Sequence, residues 1–410
     1  MGTAGAAEVT RSRPTFSILA AGAGLALILL FTTVDPWLDK AGILAGGLDA
    51  HIYRDGALKA LHGDPLYTEP TLYGLLYTYT PFSAIAFIPI AVVPWGYVTY
   101  TWLLLNLAAL YGCVLSSWRL LGYRLTGRLA AVSALLAMTC LFLEPVRTTL
   151  FYGQINLMLM LVVLWSFARP ESSRTRGVGV GVAAGIKLVP GYFIIQFFAL
   201  RQWRSAGIAA ATFAGTAMLA GIALPGDSRQ YWLRTFFESD RIAPDDNPAN
   251  QSIRGTIAHL SHGAAPVWWW LAIAGVVAVA SLILTSALYR RGEQLLAVTI
   301  AGLTACAVSP FSWGHHWVWF VPLFVYLVHR AQSRARWWIV AVVLFGVLGA
   351  WSYRWNEDYV SIGLFLYPQW WTIAPLLLNI YVIVYMIVLV FALRKTLPPS
   401  IFHRIQRRGD

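Results

Sequence analysis

The chain has 410 residues, of which 58% are hydrophobic and only 12% are charged, about half the charged share of a typical soluble domain. So few charges cannot cover the surface of a water-soluble globule, and the composition therefore disfavours a soluble enzyme, a disordered chain and a nucleic-acid-binding protein. It predicts an all-α, polytopic membrane protein that forms one domain over residues 1–410. Cys113, Cys140 and Cys306 lie in apolar runs without metal-ligand spacing and are expected to pack in the core.

Apolar runs that meet or approach the length of a membrane-spanning helix recur along the whole chain. They cover residues 15–34, 97–118, 129–144, 153–168, 177–200, 205–224, 265–289, 293–309, 317–329, 337–352 and 372–394. The run 177–200 is interrupted at 187–190, and two short helices that meet there would return the chain to its starting side. Counting that run as a re-entrant pair gives about 12 membrane helices. The proline-bounded stretch 81–94 is too short to cross easily and is expected to lie in the outer leaflet.

The net charge of +12 is distributed unevenly across this arrangement. With both termini in the cytoplasm, 20 of the 30 Lys and Arg, but only 4 of the 18 acidic residues, fall on the cytoplasmic side, as the positive-inside rule requires. The outer side then holds residues 35–96, with interfacial helices, and the loops 225–264 and 353–371, while 395–410 form a basic cytoplasmic tail. Any active site must be formed by these loops and the outer helix ends.

The first outer loop contains an amphipathic pattern that predicts a short surface helix from Asp49 to Leu61. Asp49 occupies the expected N-cap position and Gly63 follows as a stop. The Asp49 carboxylate is either a helix cap or a group available for chemistry, and spacing alone does not decide between these. Asp55 is the competing carboxylate, and because Arg54 is its neighbour it can equally belong to a solvated face.

Two polar clusters lie near the outer surface, and both combine amides with an arginine. They consist of Arg147, Gln154 and Asn156 in one, and Asn250, Gln251 and Arg254 in the other. Arginine matches phosphate oxygens with a planar fork, and amides bind sugar hydroxyls. Each cluster could therefore hold a sugar phosphate, or it could be a hydrogen-bond network that closes a turn.

Three further residues stand out because their side chains are unusual for their positions. Lys187 places a charge inside an apolar run, which usually marks a functional or paired residue. His315 and His316 are adjacent, so their side chains point in different directions; this disfavours a shared metal ion and favours one imidazole that donates to a phosphate.

The last outer loop is rich in tryptophan. The tryptophans in and beside this loop are Trp351, Trp355, Trp370 and Trp371. An interfacial aromatic belt is the favoured explanation for them. Stacking of an indole such as Trp355 on a sugar ring is the alternative.

Six motifs follow one another along nearly the whole chain. They are the loop from Asp49 to Tyr67, Tyr79-Thr80-Pro81, Glu144-Pro145 with residues 153–156, residues 186–190, residues 250–255 and residues 309–316. In this order they resemble the bacterial polyprenyl-phosphate-mannose-dependent mannosyltransferases, which belong to the GT-C superfamily. The resemblance implies a GT-C-type helix bundle in the plasma membrane with its active site on the outer face. It also implies a polyprenyl-phosphate-mannose donor and a glycolipid acceptor, such as a phosphatidylinositol mannoside extended by an α-1,2 linkage.

The resemblance also assigns roles to residues. An acidic residue of the first outer loop is the general base, here Asp49, with Asp55 as the fallback. Transfer from a β-linked mannosyl phosphate to an α-mannoside is a single inversion, and the leaving phosphate needs cationic or hydrogen-bonding partners. The expected phosphate ligands are His316 or His315, Arg254 and Lys187. The expected substrate-binding residues are Tyr53, Arg54, Arg147, Gln154, Asn156, Asn250, Gln251 and Trp355.

No Asp-x-Asp pair occurs in the sequence, so a requirement for a divalent ion or another cofactor is not expected. An arabinofuranosyltransferase with a lipid-phosphate donor, or a transporter of lipid-linked glycans, are the alternatives. The gathering of charged residues in outer loops, and not along a path through the bundle, favours the enzyme. The sequence does not fix the sugar, the acceptor or the oligomeric state.

Overall fold

The computed structural model describes residues 13–33, 44–238, 241, 243–356, 359–368 and 370–396. The regular secondary structure of these residues is helical apart from one hairpin, so the predicted helical class is confirmed. In the first half of the chain the helices are α1 (Arg13–Thr33), α2 (Leu48–His62), α3 (Pro81–Ala86), α4 (Ile88–Ala91), α5 (Trp95–Leu120), α6 (Gly127–Cys140), α7 (Glu144–Tyr152), α8 (Asn156–Phe167), α9 (Val178–Ile186) and α10 (Tyr192–Ala199).

The second half continues with a similar alternation of long and short helices. They are α11 (Trp203–Ala223), α12 (Pro225–Leu233), α13 (Ile253–Ser261), α14 (Val267–Arg290), α15 (Gln294–Val308), α16 (Phe320–Ser333), α17 (Arg336–Val347), α18 (Ala374–Leu377) and α19 (Ile380–Thr396). Strands β1 (Ser352–Asn356) and β2 (Tyr359–Ile362) pair antiparallel. This hairpin occupies the last predicted outer loop. Residues 397–410 of the predicted basic tail lie outside the described residues.

Four helices in the described ranges are long and apolar enough to cross a membrane, namely α1, α5, α11 and α14. A fifth span results if α7 and α8 are counted together, although they meet at an angle of 117°. Shorter apolar helices include α6, α15 and α17. A helix with this composition is stable in hydrocarbon because its backbone groups bond within the helix. These features are those of a membrane protein, while the expected count of about 12 spans stays a prediction.

Glu144 begins a helix of its own, whereas the sequence indicated that it ends the apolar run 129–144. The preceding helix α6 stops at Cys140, and Leu143 is the N-cap of α7. Proline at the second position of α7 fits this start because its missing N–H has no partner there in any case. The polar segment around Glu144 therefore forms a separate short helix that lies against residues 314–319.

The predicted break in the run 177–200 is confirmed. Helix α9 ends at Ile186, Lys187 is extended with φ −141° and ψ 130°, and a 3₁₀ turn covers Val189–Gly191 before α10 begins. Pro190 disfavours a helical residue before it and cannot donate a backbone hydrogen bond. The break thus presents the Lys187 side chain at a helix end. The three cysteines are buried and free, as the sequence predicted.

Candidate active site

Helix α2 is fixed by its first residues. Gly47 adopts φ +73° and its N–H donates to Phe151 O at 2.7 Å. A side chain at this position would overlap Thr99, so both the backbone angle and the space require glycine. Gly47 is therefore the N-cap, and the expected cap Asp49 instead lies in the first turn. Gly63 ends the helix in a left-handed conformation, as predicted.

Gln154 lies at the centre of a buried hydrogen-bond network with two tyrosines. Its Oε1 accepts from Tyr53 Oη and from Tyr79 Oη, each at 2.9 Å, and the two hydroxyls are 2.8 Å apart. Because the amide oxygen is occupied in this way, the amide nitrogen is free to donate. It does so to Asp49, whose side chain hydrogen-bonds to Gln154.

The surroundings of the Asp49 carboxyl group shift its pKa. Burial raises its pKa from the model-compound value of 3.8 to about 6, while the Gln154 hydrogen bond and the Lys187 ammonium act in the opposite direction. A carboxylate with a pKa near 6 is largely ionised at neutral pH and is a stronger base than an ordinary aspartate. Asp49 is thus suited to accept a proton.

Lys187 connects the two halves of the site, which are the Asp49 network and the segment that carries the histidines. Its Nζ lies 3.0 Å from Asn156 Oδ1 and 3.0 Å from His316 Nε2. The ammonium also lies 5.3 Å from the centre of the Tyr79 ring. Thr80, next to Tyr79, caps α3 and donates a hydrogen bond to the Gly185 carbonyl near the end of α9. This contact holds Tyr79 beside the helix break that carries Lys187.

The two histidines lie on the 3₁₀ segment Gly314–Trp319, and side chains of α7 and α8 hydrogen-bond to its backbone. The carbonyl of His315 accepts from Thr149 Oγ1 at 3.0 Å and from Asn156 Nδ2 at 2.9 Å. The two imidazole rings are inclined at 80° with centroids 4.9 Å apart. The two adjacent rings thus contact each other edge to face. Asn156 fixes both the His315 backbone and Lys187.

The second predicted cluster supports this segment from the side. Gln251 N donates to Ser312 O at 2.7 Å, and Ser312 N donates to Asn250 Oδ1 at 3.1 Å. Arg254 forms an ion pair with Asp245, with 2.9 Å between Nη2 and Oδ2. The described contacts of Asn250 and Gln251 are therefore those of residues that brace the approach to the histidines.

Four of the other predicted residues lie apart from the Asp49 network or outside the described side chains. Arg54 donates from Nε to Val93 O at 3.2 Å. The pKa of Asp55 is raised by burial, and its charged neighbours are Lys59, Arg54 and Asp64. It is separated from Asp49 by six residues, about 240° around a helix, so the two carboxylates face different surroundings. Arg147 is buried on α7, and the Trp355 side chain lies outside what the structure describes.

Sequence reasoning missed a buried carboxylate next to this region. Glu144 accepts a hydrogen bond of 2.5 Å from Tyr381 Oη on α19. A methyl group on Gly314 would lie 2.7 Å from Glu144 Oε2, so the glycine before the histidines leaves room for this carboxyl group. The Glu144-Pro145 motif was a weak indication of a functional carboxylate, and the sequence could not show its partner Tyr381, which is 237 residues away. No group of three or more His, Cys, Asp or Glu placed to hold a metal occurs among the described residues.

This geometry brings together a carboxyl group with a raised pKa, a lysine that attracts it and a histidine that contacts the lysine. The chain belongs to glycosyltransferase family 87, whose profile matches residues 77–310. It is therefore an enzyme that transfers a sugar. The resemblance predicted from the sequence motifs is confirmed.

Curated relatives agree with this family, and the matched segments cover most of this chain and most of each relative. A polyprenol-phosphate-mannose-dependent α-(1-2)-phosphatidylinositol pentamannoside mannosyltransferase of Mycolicibacterium smegmatis is 35% identical over 74% of this chain and 76% of the relative. The Mycobacterium tuberculosis protein of the same description is 34% identical over 82% of the chain and 78% of the relative. A phosphatidylinositol mannoside mannosyltransferase of M. smegmatis is 32% identical over 81% and 83%. No solved structure matches the chain significantly.

Proposed function

We propose that the chain transfers mannose from polyprenyl-phosphate-mannose to a phosphatidylinositol mannoside and forms an α-1,2 linkage. The observation that carries this proposal is the position of Asp49, which hydrogen-bonds to Gln154 and is attracted by the Lys187 ammonium, while Lys187 in turn contacts Asn156 and His316. The activities for which the relatives are named supply the donor and the acceptor class.

The reaction is a single displacement with Asp49 as general base. The acceptor hydroxyl oxygen attacks the anomeric carbon of mannose, and its proton passes to the Asp49 carboxylate. The bond from the anomeric carbon to the phosphate oxygen breaks, and its electron pair leaves with polyprenyl phosphate. One displacement inverts the anomeric centre, so a β-linked donor gives an α-mannoside.

The leaving phosphate requires positive charge and hydrogen-bond donors at the moment of bond cleavage. Lys187 supplies an ammonium group. His316 supplies an imidazole ring, whose Nε2 lies 3.0 Å from the Lys187 ammonium. Preorganised donors of this kind stabilise developing charge because they need no reorganisation during the reaction. Gln154 and Asn156 then orient sugar hydroxyls and hold the network together.

The positive-inside distribution supports the accompanying topology, with both termini in the cytoplasm and the active site on the outer face of the plasma membrane. We include in this proposal the GT-C-type bundle with about 12 membrane helices. Several of those helices are shorter than a full span, as α6, α15 and α17 are here, so they must combine with neighbours or lie in a locally thinned bilayer.

The test is mannose transfer by the purified protein in detergent or lipid. It uses labelled polyprenyl-phosphate-mannose, a matched polyprenyl-phosphate-arabinose and a panel of phosphatidylinositol mannosides. Transfer of mannose with an α-1,2 linkage to at least one acceptor is expected. Transfer of arabinose alone, or of no sugar, would refute the proposal.

Two isosteric variants test the base. Asp49→Asn removes the proton acceptor and is expected to lower turnover by about 10²- to 10⁴-fold, the usual contribution of general base catalysis. Asp55→Asn changes the other carboxylate of the same helix and is expected to retain turnover within a few-fold. If Asp55→Asn loses turnover and Asp49→Asn retains it, Asp55 is the general base.

A further inference from the structure

Arg147 places a guanidinium group in the interior of the protein. Its side chain is 1% exposed, and its Nε and Nη2 have no hydrogen-bond partner among the described residues. The guanidinium carbon lies 4.4 Å from the centre of the Phe151 ring. A cation–π contact offsets only part of the cost of burying such a charge. A guanidinium in this state indicates a missing anion.

The acid closest to Arg147 on its helix does not supply that anion directly. Glu144 lies one turn before Arg147 and attracts it through space. The Glu144 carboxyl group already accepts a hydrogen bond from Tyr381 at 2.5 Å. Its side chain is enclosed by two glycines, since an added methyl group would lie 2.7 Å from Oε2 at Gly314 and 2.9 Å from Cγ at Gly363. The ion pairs of the described part do not join Glu144 to Arg147.

Helix α7, which carries Arg147, contacts both the histidine segment and the residues just before Asp49. Thr149 Oγ1 of this helix donates to the His315 carbonyl at 3.0 Å, while Phe151 O accepts from Gly47 N at 2.7 Å, two residues before Asp49. The aromatic ring that faces the guanidinium also packs close to Gly46. An anion bound to Arg147 would therefore adjoin the start of the helix that carries the base.

We infer that Arg147 binds a phosphate group of a lipid substrate. Arginine is suited to this task because its planar fork can donate two parallel hydrogen bonds to phosphate oxygens. This inference rests on the proposed function, in which two phosphates are present. One is the phosphate of the polyprenyl donor and the other is the phosphodiester of the phosphatidylinositol acceptor.

The kinetic test compares wild type with Arg147→Gln and uses Arg229→Gln, an exposed arginine on α12, as the matched control. Each protein is assayed with the phosphatidylinositol mannoside and with an uncharged alkyl mannoside as acceptor. Loss of a charged hydrogen bond should raise the relevant KM by about 10- to 100-fold. A higher acceptor KM for the phosphate-containing acceptor alone identifies the acceptor phosphodiester. A higher donor KM with both acceptors identifies the donor phosphate.

A binding measurement keeps the inference independent of catalysis. Polyprenyl phosphate, phosphatidylinositol and uncharged polyprenol are each added to the protein, and the thermal unfolding temperature is recorded. A ligand that binds only the folded state raises that temperature. At least one phosphate lipid, but not polyprenol, should stabilise wild type more than Arg147→Gln. This result would support the inference even if no mannose were transferred.

Arg147→Lys covers the case in which the glutamine variant does not fold. It keeps the charge and loses the planar fork, so a phosphate lipid should stabilise Arg147→Lys less than it stabilises wild type, and equal stabilisation of the two would refute the inference. The inference is refuted if folded Arg147→Gln keeps both wild-type KM values and the full stabilisation. It is equally refuted if wild type is stabilised as much by polyprenol as by the phosphate lipids.

Discussion

Lys187 Nζ lies 3.0 Å from His316 Nε2 and 3.0 Å from Asn156 Oδ1. An ammonium has donors only, so both of these atoms accept, and the proton of the neutral His316 ring must lie on Nδ1. That Nδ1 is buried and has no hydrogen-bond partner among the described residues. Lys187 therefore fixes the tautomer with the proton on Nδ1, and in the proposed function this N–H donates to an oxygen atom of the substrate, much as outer-shell partners orient metal-bound histidines.

The first prediction concerns this N–H. His316→Phe keeps a ring of similar size and removes the donor, so the kcat/KM for polyprenyl-phosphate-mannose should fall by about 10- to 100-fold, the value of a hydrogen bond to a charged group. Steady-state kinetics with labelled donor measure this. His315→Phe distinguishes the two histidines, because His315 contacts Thr149 and Asn156 through its backbone carbonyl. A greater loss in His315→Phe would exchange their roles.

The second prediction concerns the buried contact between Glu144 and Tyr381. Glu144→Leu removes the acceptor of the Tyr381 hydroxyl, and an unsatisfied buried polar group costs about 1–3 kcal/mol. The thermal unfolding temperature should therefore fall clearly. Glu144→Gln retains an acceptor oxygen at the same place and should remain closer to wild type. Equal unfolding temperatures for the two variants would show that this hydrogen bond contributes nothing to stability.

The helix break at Lys187 illustrates what could be read from the sequence. A lysine followed within three residues by Pro190 in an apolar run marks both a helix end and a charge that needs partners. The surface helix with Asp49 was similarly readable, because apolar spacing and Gly63 delimit it. Its cap was wrong by two residues, since Gly47 is required by the close approach of Thr99, a tertiary contact.

Long-range partners could not be predicted in the same way. Tyr53 meets Gln154 across 101 residues and Glu144 meets Tyr381 across 237, and no local pattern connects such positions. The polar motif around Arg254 read equally well as a phosphate site or a structural network, and its ion pair with Asp245 is visible only in three dimensions. Local spacing predicts elements, whereas the partners of a buried polar group depend on packing.

The third prediction concerns divalent cations. The proposed site stabilises the leaving phosphate with Lys187 and His316, and the sequence contains no Asp-x-Asp pair. Transfer measured in the presence of excess chelator should therefore equal transfer in its absence. Readdition of magnesium or manganese should not increase the rate. Abolition of transfer by the chelator, with recovery on readdition, would require a metal-assisted mechanism.

The fourth prediction is the pH dependence of the reaction. Asp49 accepts a proton only when ionised, and its folded-state pKa is about 6. The kcat/KM should thus be constant at neutral pH and decline as the pH falls below about 6, since this profile reports the pKa of the free enzyme. Asp49→Asn should lack this acidic limb in whatever activity remains.

The fifth prediction is that Lys187→Met shifts the acidic limb of the kcat/KM profile to higher pH. The ammonium of Lys187 lowers the Asp49 pKa, so its removal should raise that pKa and shift the acidic limb to higher pH. The absolute rate should also fall, because the leaving phosphate loses a cation, but the position of the limb is a separate readout. Arg229→Gln, which removes an exposed charge elsewhere, should leave the limb in place. A limb that stays fixed or moves to lower pH in Lys187→Met would show that Lys187 does not act on the base, and the electrostatic link between the two halves of the site would have to be abandoned.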